Sequence, residues 1–480
     1  MHCILDKILE LLTAKPSRVF PYVEISFFER WYRDLSEFNK TQVKKLVENK
    51  QLYFSNAAWV MNDEACVYFE DVIEQYIIGH RWVFKEFNYI PTVGWSIDPF
   101  GHSATQPYLL AQMGINIAIF ERINHKDVEK RKVDGTMEFV WVPFENFPEW
   151  NVIGHHNYMK YGSTQESGYC FPKNVCDAVD KSKNSIPTAT QWLQSQASMY
   201  GTKEILWQIG NDFTFSYNGT ELYEAIEEFV DGVNNMSDPL FGRAILSTPE
   251  IYIDRWYEDY KKQKTSHLVI KNDDFFPYAE VPGWTREAGY WSGYFTSKPT
   301  LKWTIKDASW LLHTGRKVVL GAFLNMRSDE EKAAFVARAD KRLDELERAV
   351  AINQHHDAVT GTSKKYTDAD YMHMLNEGRA AVWGIIREVF HNETTEKLGI
   401  PAESASSLDF FRCNHNTSSI ECRPLTESLL SNSDSSLLLK IYNSGSNKRI
   451  VHRVKVPHEF IEGKIPFGKL LLLFSVQCQQ

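Results

Sequence analysis

Short apolar runs that alternate with amphipathic stretches are the feature of this sequence that most limits its fold. The alternation extends from residue 1 to about residue 285 of the 480-residue chain. The apolar runs predict strands at residues 19–28, 52–60, 90–97, 115–122, 137–142 and 204–211, and the amphipathic stretches predict helices at residues 36–49, 70–85, 104–113 and 220–234. Parallel strands need long crossover connections, which are usually helices. The order therefore predicts an α/β domain with parallel strands, either a barrel or a doubly wound sheet.

Two carboxylates follow predicted strands directly. Asp98 comes after residues 90–97, and Pro99 then removes the next backbone N–H that a strand ladder would use. Asp212 follows residues 204–211 in the same way. Each aspartate taken alone is also what an ordinary helix N-cap after a strand looks like. Because α/β barrels hold their active sites at the carboxyl ends of their strands, the pair favours a barrel with both carboxylates in one active site.

The first residues predict a helix and no signal peptide. Apolar residues recur at helical spacing between residues 4 and 12, Asp6 interrupts any apolar h-region, and Pro16 ends the pattern. A chain that opens with a helix followed by a strand suggests that part of the domain lies upstream of Met1.

Beyond residue 290 the apolar period becomes helical throughout. Residues 300–316, 328–353 and 367–391 predict three consecutive helices, which form a bundle. Residues 404–436 have the Ser- and Asn-rich composition of a linker, and residues 436–442 and 450–456 predict a β-hairpin that opens another domain. The predicted domains are thus a barrel-like catalytic domain at 1–285, a three-helix bundle at 286–400, and a linker with an incomplete β-sandwich at 401–480.

Charge and cysteine content exclude several classes of function. The formal charge of −9 gives no basis for binding nucleic acid, and the apolar stretch at residues 470–476 is shorter than the roughly 20 residues of a membrane span. None of the seven cysteines forms a CxxC pair, so a thiolate zinc site is not expected. Cys170 with Cys176, and Cys413 with Cys422, could close small disulfides in an oxidising compartment, or all could be buried thiols.

A histidine pair beside a carboxylate stands where the second bundle helix should end. The segment is residues 354–362, with His355, His356 and Asp357 in succession and Gly361 as a left-handed stop. Adjacent helical residues point about 100° apart, so one histidine can face a site while the other packs. Imidazole and carboxylate are ligands that zinc accepts, although the pair could also be purely structural. Further candidates of the same type, in polar stretches typical of surface loops, are His125 with Asp127, and His155 with His156.

Four segments together resemble glycoside hydrolase family 38, the class II α-mannosidases. They are GWSIDPFGHS at residues 94–103, GNDF at 210–213, YWSGYFTSKP at 290–299 and QHHDAVTGT at 354–362. Residues 59–65 and 273–279 look most like the lysosomal branch of the family. The resemblance covers nearly all of residues 1 to about 456.

The resemblance implies a retaining exo-α-mannosidase with one zinc ion, an α/β barrel, a three-helix bundle and C-terminal β-domains. Asp98 would be the nucleophile and a zinc ligand, Asp212 the general acid/base, and His356 a second zinc ligand. The residues that would contact the sugar are Asp357, Phe100, Arg122, Tyr161 and Trp291. The expected partner is a mannose-containing oligosaccharide, with the lysosome or secretory pathway as the expected location of the parent protein and a homo-oligomer left open.

The sequence departs from the family pattern at one point. A His-x-Asp pair on the first barrel strand supplies half of the family's zinc ligands, and it would lie upstream of the helix that begins this chain. A chain truncated at both ends is one explanation. The alternative function is that of a catalytically inactive relative that keeps the fold and weak sugar binding, because two remaining ligands rarely hold zinc against water.

Overall fold

A computed structural model describes residues 2–142, 152–157, 185–210, 212–236, 242–263, 268–280, 289–401, 410, 437–443 and 470–476. The chain forms two compact units. Unit 1 comprises residues 1–306 and 350–372, and unit 2 comprises residues 307–349 and 373–480. The predicted cysteine pairs lie outside the described residues. Within the described residues, Cys3 and Cys66 are free thiols. No helix in the described part of the chain combines the length and apolar character needed to cross a bilayer.

Unit 1 alternates helices and short strands, as the sequence predicts. The helices are α1 (His2–Ala14), α2 (Ile25–Arg33), α3 (Glu37–Glu48), α4 (Phe69–Phe87), α5 (Thr105–Gln112), α6 (His125–Asp134), α7 (Ile186–Ala197), α8 (Thr214–Tyr217), α9 (Gly219–Asn234) and α10 (Pro249–Lys262). The strands are β1 (Phe20–Tyr22), β2 (Leu52–Phe54), β3 (Gly94–Ser96), β4 (Ile117–Phe120), β5 (Glu138–Trp141), β6 (Val152–His156), β7 (Val269–Lys271), β8 (Ala279–Glu280) and β9 (Gly289–Tyr290).

The central sheet of unit 1 has five strands in the order β3-β4-β6-β5-β7. Strands β3, β4 and β6 run parallel, whereas β5 runs antiparallel to β6 and parallel to β7. Strands β1 and β2 form a separate parallel pair. The α/β class is confirmed, but the sheet is mixed rather than all parallel. Closure into a barrel stays a prediction.

The expectation of parallel strands throughout is wrong at β5 and β6, because the connection between these strands is short. Only ten residues, 142–151, separate Trp141 from Val152, which is fewer than the dozen or more that a parallel crossover needs. An antiparallel pairing needs no crossover, so this pair reverses direction.

Two other predicted strands are also corrected. The run at residues 19–28 divides into β1 and helix α2, because the buried residues Ile25, Phe28 and Tyr32 recur at helical spacing and bury one face of a helix. Residues 204–210 form no strand. They are half-buried, so their backbone groups can be satisfied by solvent, while Leu206 contacts the apolar cluster that contains Trp95.

The core of unit 1 consists of several apolar clusters. One cluster joins α1 to α4 with β1 and β2 around Phe28, whose ring contacts those of Phe54 and Trp82. Others cover the five-stranded sheet, including Trp95 with Trp256 and Phe120 with Phe139.

Three long helices follow: α11 (Pro299–Asn325), α12 (Asp329–Ile352) and α13 (Lys365–Leu398). Their parts in unit 2 contact each other closely, since a Cβ added at Gly315 would lie 2.6 Å from Val382 and one at Gly378 would lie 2.8 Å from the backbone of Leu346. The predicted bundle helices are therefore present. Residues 350–372, which include the histidine pair, belong to unit 1.

The last described part of unit 2 is a pair of strands. Strand β10 (Leu437–Asn443) pairs in parallel with β11 (Leu470–Val476). The first strand of the predicted hairpin is present as β10. The second, at residues 450–456, lies outside the described residues, and the partner of β10 is the apolar stretch at residues 470–476.

Candidate active site

Asp98 lies in a tight turn that follows the end of β3. The strand ends at Ser96, and the chain turns through Gly101, which adopts φ +96°. A Cβ at Gly101 would lie 2.6 Å from the ring of Phe276 and 2.8 Å from the carbonyl oxygen of Phe275. Only glycine accepts both that φ and that close approach, so the motif's glycine fixes the turn that carries Asp98.

Arg122 reaches the same turn from the neighbouring strand. Gly101 N–H donates to the carbonyl oxygen of Arg122 at 3.1 Å, just beyond the end of β4. The guanidinium of Arg122 forms an ion pair with Asp98 Oδ1. Because β3 and β4 are parallel neighbours, their carboxyl ends bring the two residues to one edge of the sheet.

Aromatic rings surround this ion pair. The ring centroids of Phe100 and Trp291 lie 4.9 Å apart, and the guanidinium carbon of Arg122 lies 5.3 Å from the first and 5.8 Å from the second. The hydroxyl of Tyr294 donates to the carbonyl oxygen of Phe100 at 2.8 Å. The predicted pocket residues Phe100, Arg122 and Trp291 are thus brought together beside Asp98.

His356 completes the cluster from the loop between α12 and α13. Its Nε2 lies 3.1 Å from Asp98 Oδ2, and its Nδ1–H donates to the carbonyl oxygen of Met61 at 2.8 Å. The backbone N–H of His356 also donates to Met61, at 3.2 Å. Asn62 and His355 form an isolated antiparallel bridge, so the histidine pair is fixed by a short ladder to the chain after β2.

His355 points in another direction, toward Glu24 and Asp357. Its Nδ1 lies 3.2 Å from Glu24 Oε1, and its Nε2 lies 3.8 Å from Asp357 Oδ2. Asp357 is half exposed and accepts a hydrogen bond of 2.5 Å from the hydroxyl of Thr362. One histidine therefore faces Asp98 and the other does not, as predicted, but the pair lies in the loop after the helix and not on the helix that the sequence suggested. Glu24 was missed by sequence reasoning, because it stands alone in an apolar run.

Electrostatics keep the central pair charged. Burial raises the pKa of Asp98, but the hydrogen bond and charge of His356, together with Arg122, outweigh it and lower that pKa to about 2. Burial lowers the pKa of His356, but the same contact with Asp98 raises it to about 9. Burial likewise opposes the charge of Glu24, yet the contact with His355 prevails and its pKa is lowered. The Asp98 carboxylate is therefore ionised at neutral pH.

The donor atoms suit a zinc ion in part. Two ligands of a tetrahedral zinc, each about 2 Å from the metal, lie roughly 3.3 Å apart. The 3.1 Å between His356 Nε2 and Asp98 Oδ2 is compatible with that separation. One potential ligand atom each of His355, His356 and Asp357 also lies within 4.8 Å of the others. Asp98 and His356 can supply two of the four ligands of a zinc site.

Asp212 does not belong to the elements that carry the cluster around Asp98. Tyr161 lies outside the described residues. Asp212 is exposed, in the turn that precedes α8. The segment before it contacts the end of the sheet, since Asn157 donates to Gln208 at 2.9 Å and to the carbonyl oxygen of Phe120 at 2.9 Å. This segment therefore reaches the strand end next to Arg122. The convergence of Asp212 on Asp98 stays a prediction.

The further histidine candidates are not in surface loops, where the sequence suggested. His155 and His156 belong to strand β6 and are buried, rather than in a surface loop. Their stretch looked polar because the strand buries polar side chains against partners, with His155 3.0 Å from Glu138. His125 is the first residue of α6, and Asp127 forms an ion pair with Arg131 one turn later.

Comparison with known proteins defines first the class, that of glycoside hydrolases, and then the family. Residues 1–281 match the "Glycosyl hydrolases family 38 N-terminal domain", and residues 289–392 match the "Alpha mannosidase middle domain". The chain belongs to glycoside hydrolase family 38, which confirms the resemblance of its motifs.

Individual relatives agree with this assignment. A lysosomal alpha-mannosidase of Dictyostelium discoideum is 32% identical over 92% of this chain and 42% of its own length. An alpha-mannosidase of Arabidopsis thaliana is 32% identical over 97% of this chain and 44% of its own. The fold is similar to that of an alpha-mannosidase from Enterococcus faecalis, with a TM-score of 0.62 at 16% identity over 82% of this chain and 40% of that one. The chain thus spans less than half the length of these relatives.

Proposed function

We propose that the protein hydrolyses terminal α-mannosidic bonds of glycoprotein-derived oligosaccharides, with retention of configuration at the anomeric carbon. The observation that carries the proposal is the Asp98 cluster. An ionised carboxylate at a strand end faces a buried imidazole and an arginine, and two aromatic rings lie beside it. Family membership, and the names of the relatives, supply the sugar.

The reaction has two steps in this proposal. The Asp98 carboxylate attacks the anomeric carbon while the bond to the leaving oxygen breaks, and the carboxyl proton of Asp212 passes to that oxygen. Water then attacks the covalent intermediate and gives a proton to the Asp212 carboxylate, which restores both residues. The low pKa of Asp98 suits the first role, because the nucleophile must carry no proton.

Binding of the mannose ring would use the groups around Asp98. Trp291 is partly exposed and can offer an aromatic face, whereas Phe100 is buried against it and is proposed as a contact from the family motif. Asp357 is half exposed and able to accept hydrogen bonds from sugar hydroxyls. Tyr161 is proposed as a further contact from the family motif alone. Zinc held by Asp98 and His356 would supply a positive charge that orients the hydroxyl groups of the glycone. Arg122 keeps the carboxylate of Asp98 in place for attack.

The wider context is proposed on the same basis. The strands of unit 1 would form a barrel-like catalytic domain at residues 1–285, followed by the bundle at 286–400 and the start of a β-domain at 401–480. The relatives include lysosomal enzymes, which favours the lysosome or secretory pathway for the parent protein. A homo-oligomer is compatible with this function.

Turnover of a chromogenic α-mannoside by the purified chain, with zinc content measured on the same sample, tests the proposal. Stoichiometric zinc, together with early release of the α-anomer of mannose followed by proton NMR before mutarotation, would support the proposal. Early release of the β-anomer would contradict retention. Absence of both zinc and turnover would instead favour the inactive relative.

The role of Asp212 has a test of its own. Its carboxyl proton matters most when the leaving group is basic, so Asp212→Asn should slow a methyl α-mannoside by about 10²-fold to 10⁴-fold. An aryl mannoside with an acidic phenol should be slowed far less in its first step. Equal losses for both substrates would remove Asp212 from the acid/base role.

A further inference from the structure

Glu24 is a partly buried carboxylate beside the candidate active site that the proposed reaction does not use. It occupies the N-cap position of α2, yet its side chain makes no capping hydrogen bond. A carboxylate at this position normally accepts from the first N–H groups of its helix. Instead, Oε1 accepts from the backbone N–H of Met61 at 3.1 Å and lies 3.2 Å from His355 Nδ1. The side chain is directed toward the histidine loop rather than toward its own helix.

Met61 connects Glu24 to His356. Its N–H donates to Glu24, and its carbonyl oxygen accepts from both the backbone N–H and the Nδ1–H of His356, at 3.2 and 2.8 Å. With Nδ1 held in this way, Nε2 can only face the opposite side of the ring, where it meets Asp98 at 3.1 Å. The direction of Nε2 therefore depends on the position of Met61.

The second contact of Glu24 acts on the same ladder. His355 pairs with Asn62, and the N–H of Asp63 donates to the carbonyl oxygen of Gln354 at 2.9 Å. Glu24 thus contacts both strands of the ladder, one at Met61 and the other at His355. A single carboxylate limits how far the two strands can slide past each other.

We propose that Glu24 is a positioning residue, which holds Met61 and His355 and thereby directs Nε2 of His356 at Asp98. The proposal rests on the proposed function for its effect on turnover, whereas its effect on the His356 ring is independent of that function. Groups that orient a ligating or catalytic imidazole through its other nitrogen commonly change activity by 10-fold to 100-fold when they are removed.

The experiment compares Glu24→Ala, Glu24→Gln and Glu37→Gln in the full 480-residue chain. Glu37 is a matched control, because it lies in the first turn of α3 with its side chain 89% exposed. NMR of protein labelled with ¹⁵N-histidine follows the Nδ1 proton of His356, identified by its loss in His356→Gln. Steady-state kinetics on the chromogenic mannoside give kcat and KM for the same samples.

Glu24→Ala should abolish the exchange-protected Nδ1 proton signal and lower kcat by about 10-fold to 100-fold, with a smaller change in KM. Glu24→Gln should lose less, because its amide oxygen can still accept from Met61, and Glu37→Gln should match the wild type. If Glu24→Ala does not fold, Glu24→Asp takes its place, because its carboxylate is one methylene group too short for the contact with Met61 and should lose the Nδ1 signal as well. An unchanged Nδ1 signal in the folded Ala or Asp variant overturns the proposal. A lost signal in a chain without turnover upholds the positioning role and rejects the mannosidase function instead.

Discussion

Two histidine–carboxylate pairs in unit 1 have the same chemistry and different surroundings. His356 meets Asp98 at 3.1 Å, and His155 meets Glu138 at 3.0 Å. The Asp98 side chain is 32% exposed, whereas Glu138 and His155 are 0% and 2% exposed.

The hydrogen bonds of the two carboxylates explain the difference. Glu138 accepts from the indole N–H of Trp256 at 2.6 Å and from the backbone N–H of Gly201 at 2.8 Å, in addition to its contact with His155. Its oxygens are used inside the core, which serves stability. Asp98 is held by His356 and Arg122 and still reaches solvent, so a substrate can approach it. Exposure and spare acceptor capacity, rather than residue type, separate the candidate catalytic pair from the structural one.

Among the substitutions that test this contrast, Asp98→Asn should have the largest effect. Loss of the nucleophile should reduce turnover of the chromogenic mannoside on the order of 10⁴-fold or more, which is roughly 5 kcal/mol. The amide has nearly the same shape but loses the charge contacts with His356 and Arg122, so the free energy of unfolding should fall by about 1–2 kcal/mol, less than for a fully buried carboxylate. Kinetics and unfolding are measured on one preparation. Residual activity within tenfold of the wild type would remove Asp98 from the nucleophile's role.

Glu138→Gln should show the opposite result. The amide replaces a buried acceptor with a group that presents N–H donors to other donors, so the free energy of unfolding should fall by about 4 kcal/mol. The measurement is urea unfolding followed by tryptophan fluorescence. Glu258→Gln, on the exposed face of α10, is the matched control and should leave the midpoint unchanged. If Glu138→Gln costs less than about 1 kcal/mol, the pair is not the structural one.

Local signals in the sequence predicted the elements that carry this contrast. Helix α3 begins where Ser36 predicts, because the Ser36 hydroxyl accepts from Asn39 N–H. Asp98 follows the carboxyl end of a strand, as the sequence predicts, although β3 already ends at Ser96, three residues before Pro99. Phe100, Arg122 and His356 lie close to Asp98 or to its ion pair, and the roles that the motifs assign to them stay predictions. These features depend on neighbours within a few residues or on a family pattern.

Long-range packing decided what the sequence could not predict. The direction of β6 depends on the length of its connection from β5, and the histidine loop folds with unit 1 although it interrupts the predicted bundle. Glu24 lies 331 positions before His355, and nothing in its own apolar run signals that contact. Burial of Glu138 was equally invisible, since glutamate in a short strand usually faces solvent.

The smallest effect is expected at Asp63. This buried carboxylate accepts hydrogen bonds from fewer donors than Glu138 does. It is fully buried and accepts from the N–H groups of Ala65 and Cys66, but burial prevails and raises its pKa to about 6. A raised pKa means that the folded state favours the neutral acid. Stability contributed by this group is therefore present below about pH 4 and decreases as the pH rises to about 6, by about 3 kcal/mol in total.

Asp63→Asn should remove that decrease, because the amide carries no charge at any pH and keeps an oxygen for the same two N–H donors. We expect wild type and variant to have similar urea midpoints at pH 4, and the variant to be the more stable at pH 7. If the two stability curves stay parallel between pH 4 and pH 7, the carboxylate is ionised in the fold without penalty. In that case Asp63 would resemble Glu138, and the number of hydrogen-bond donors would not be what distinguishes these buried carboxylates.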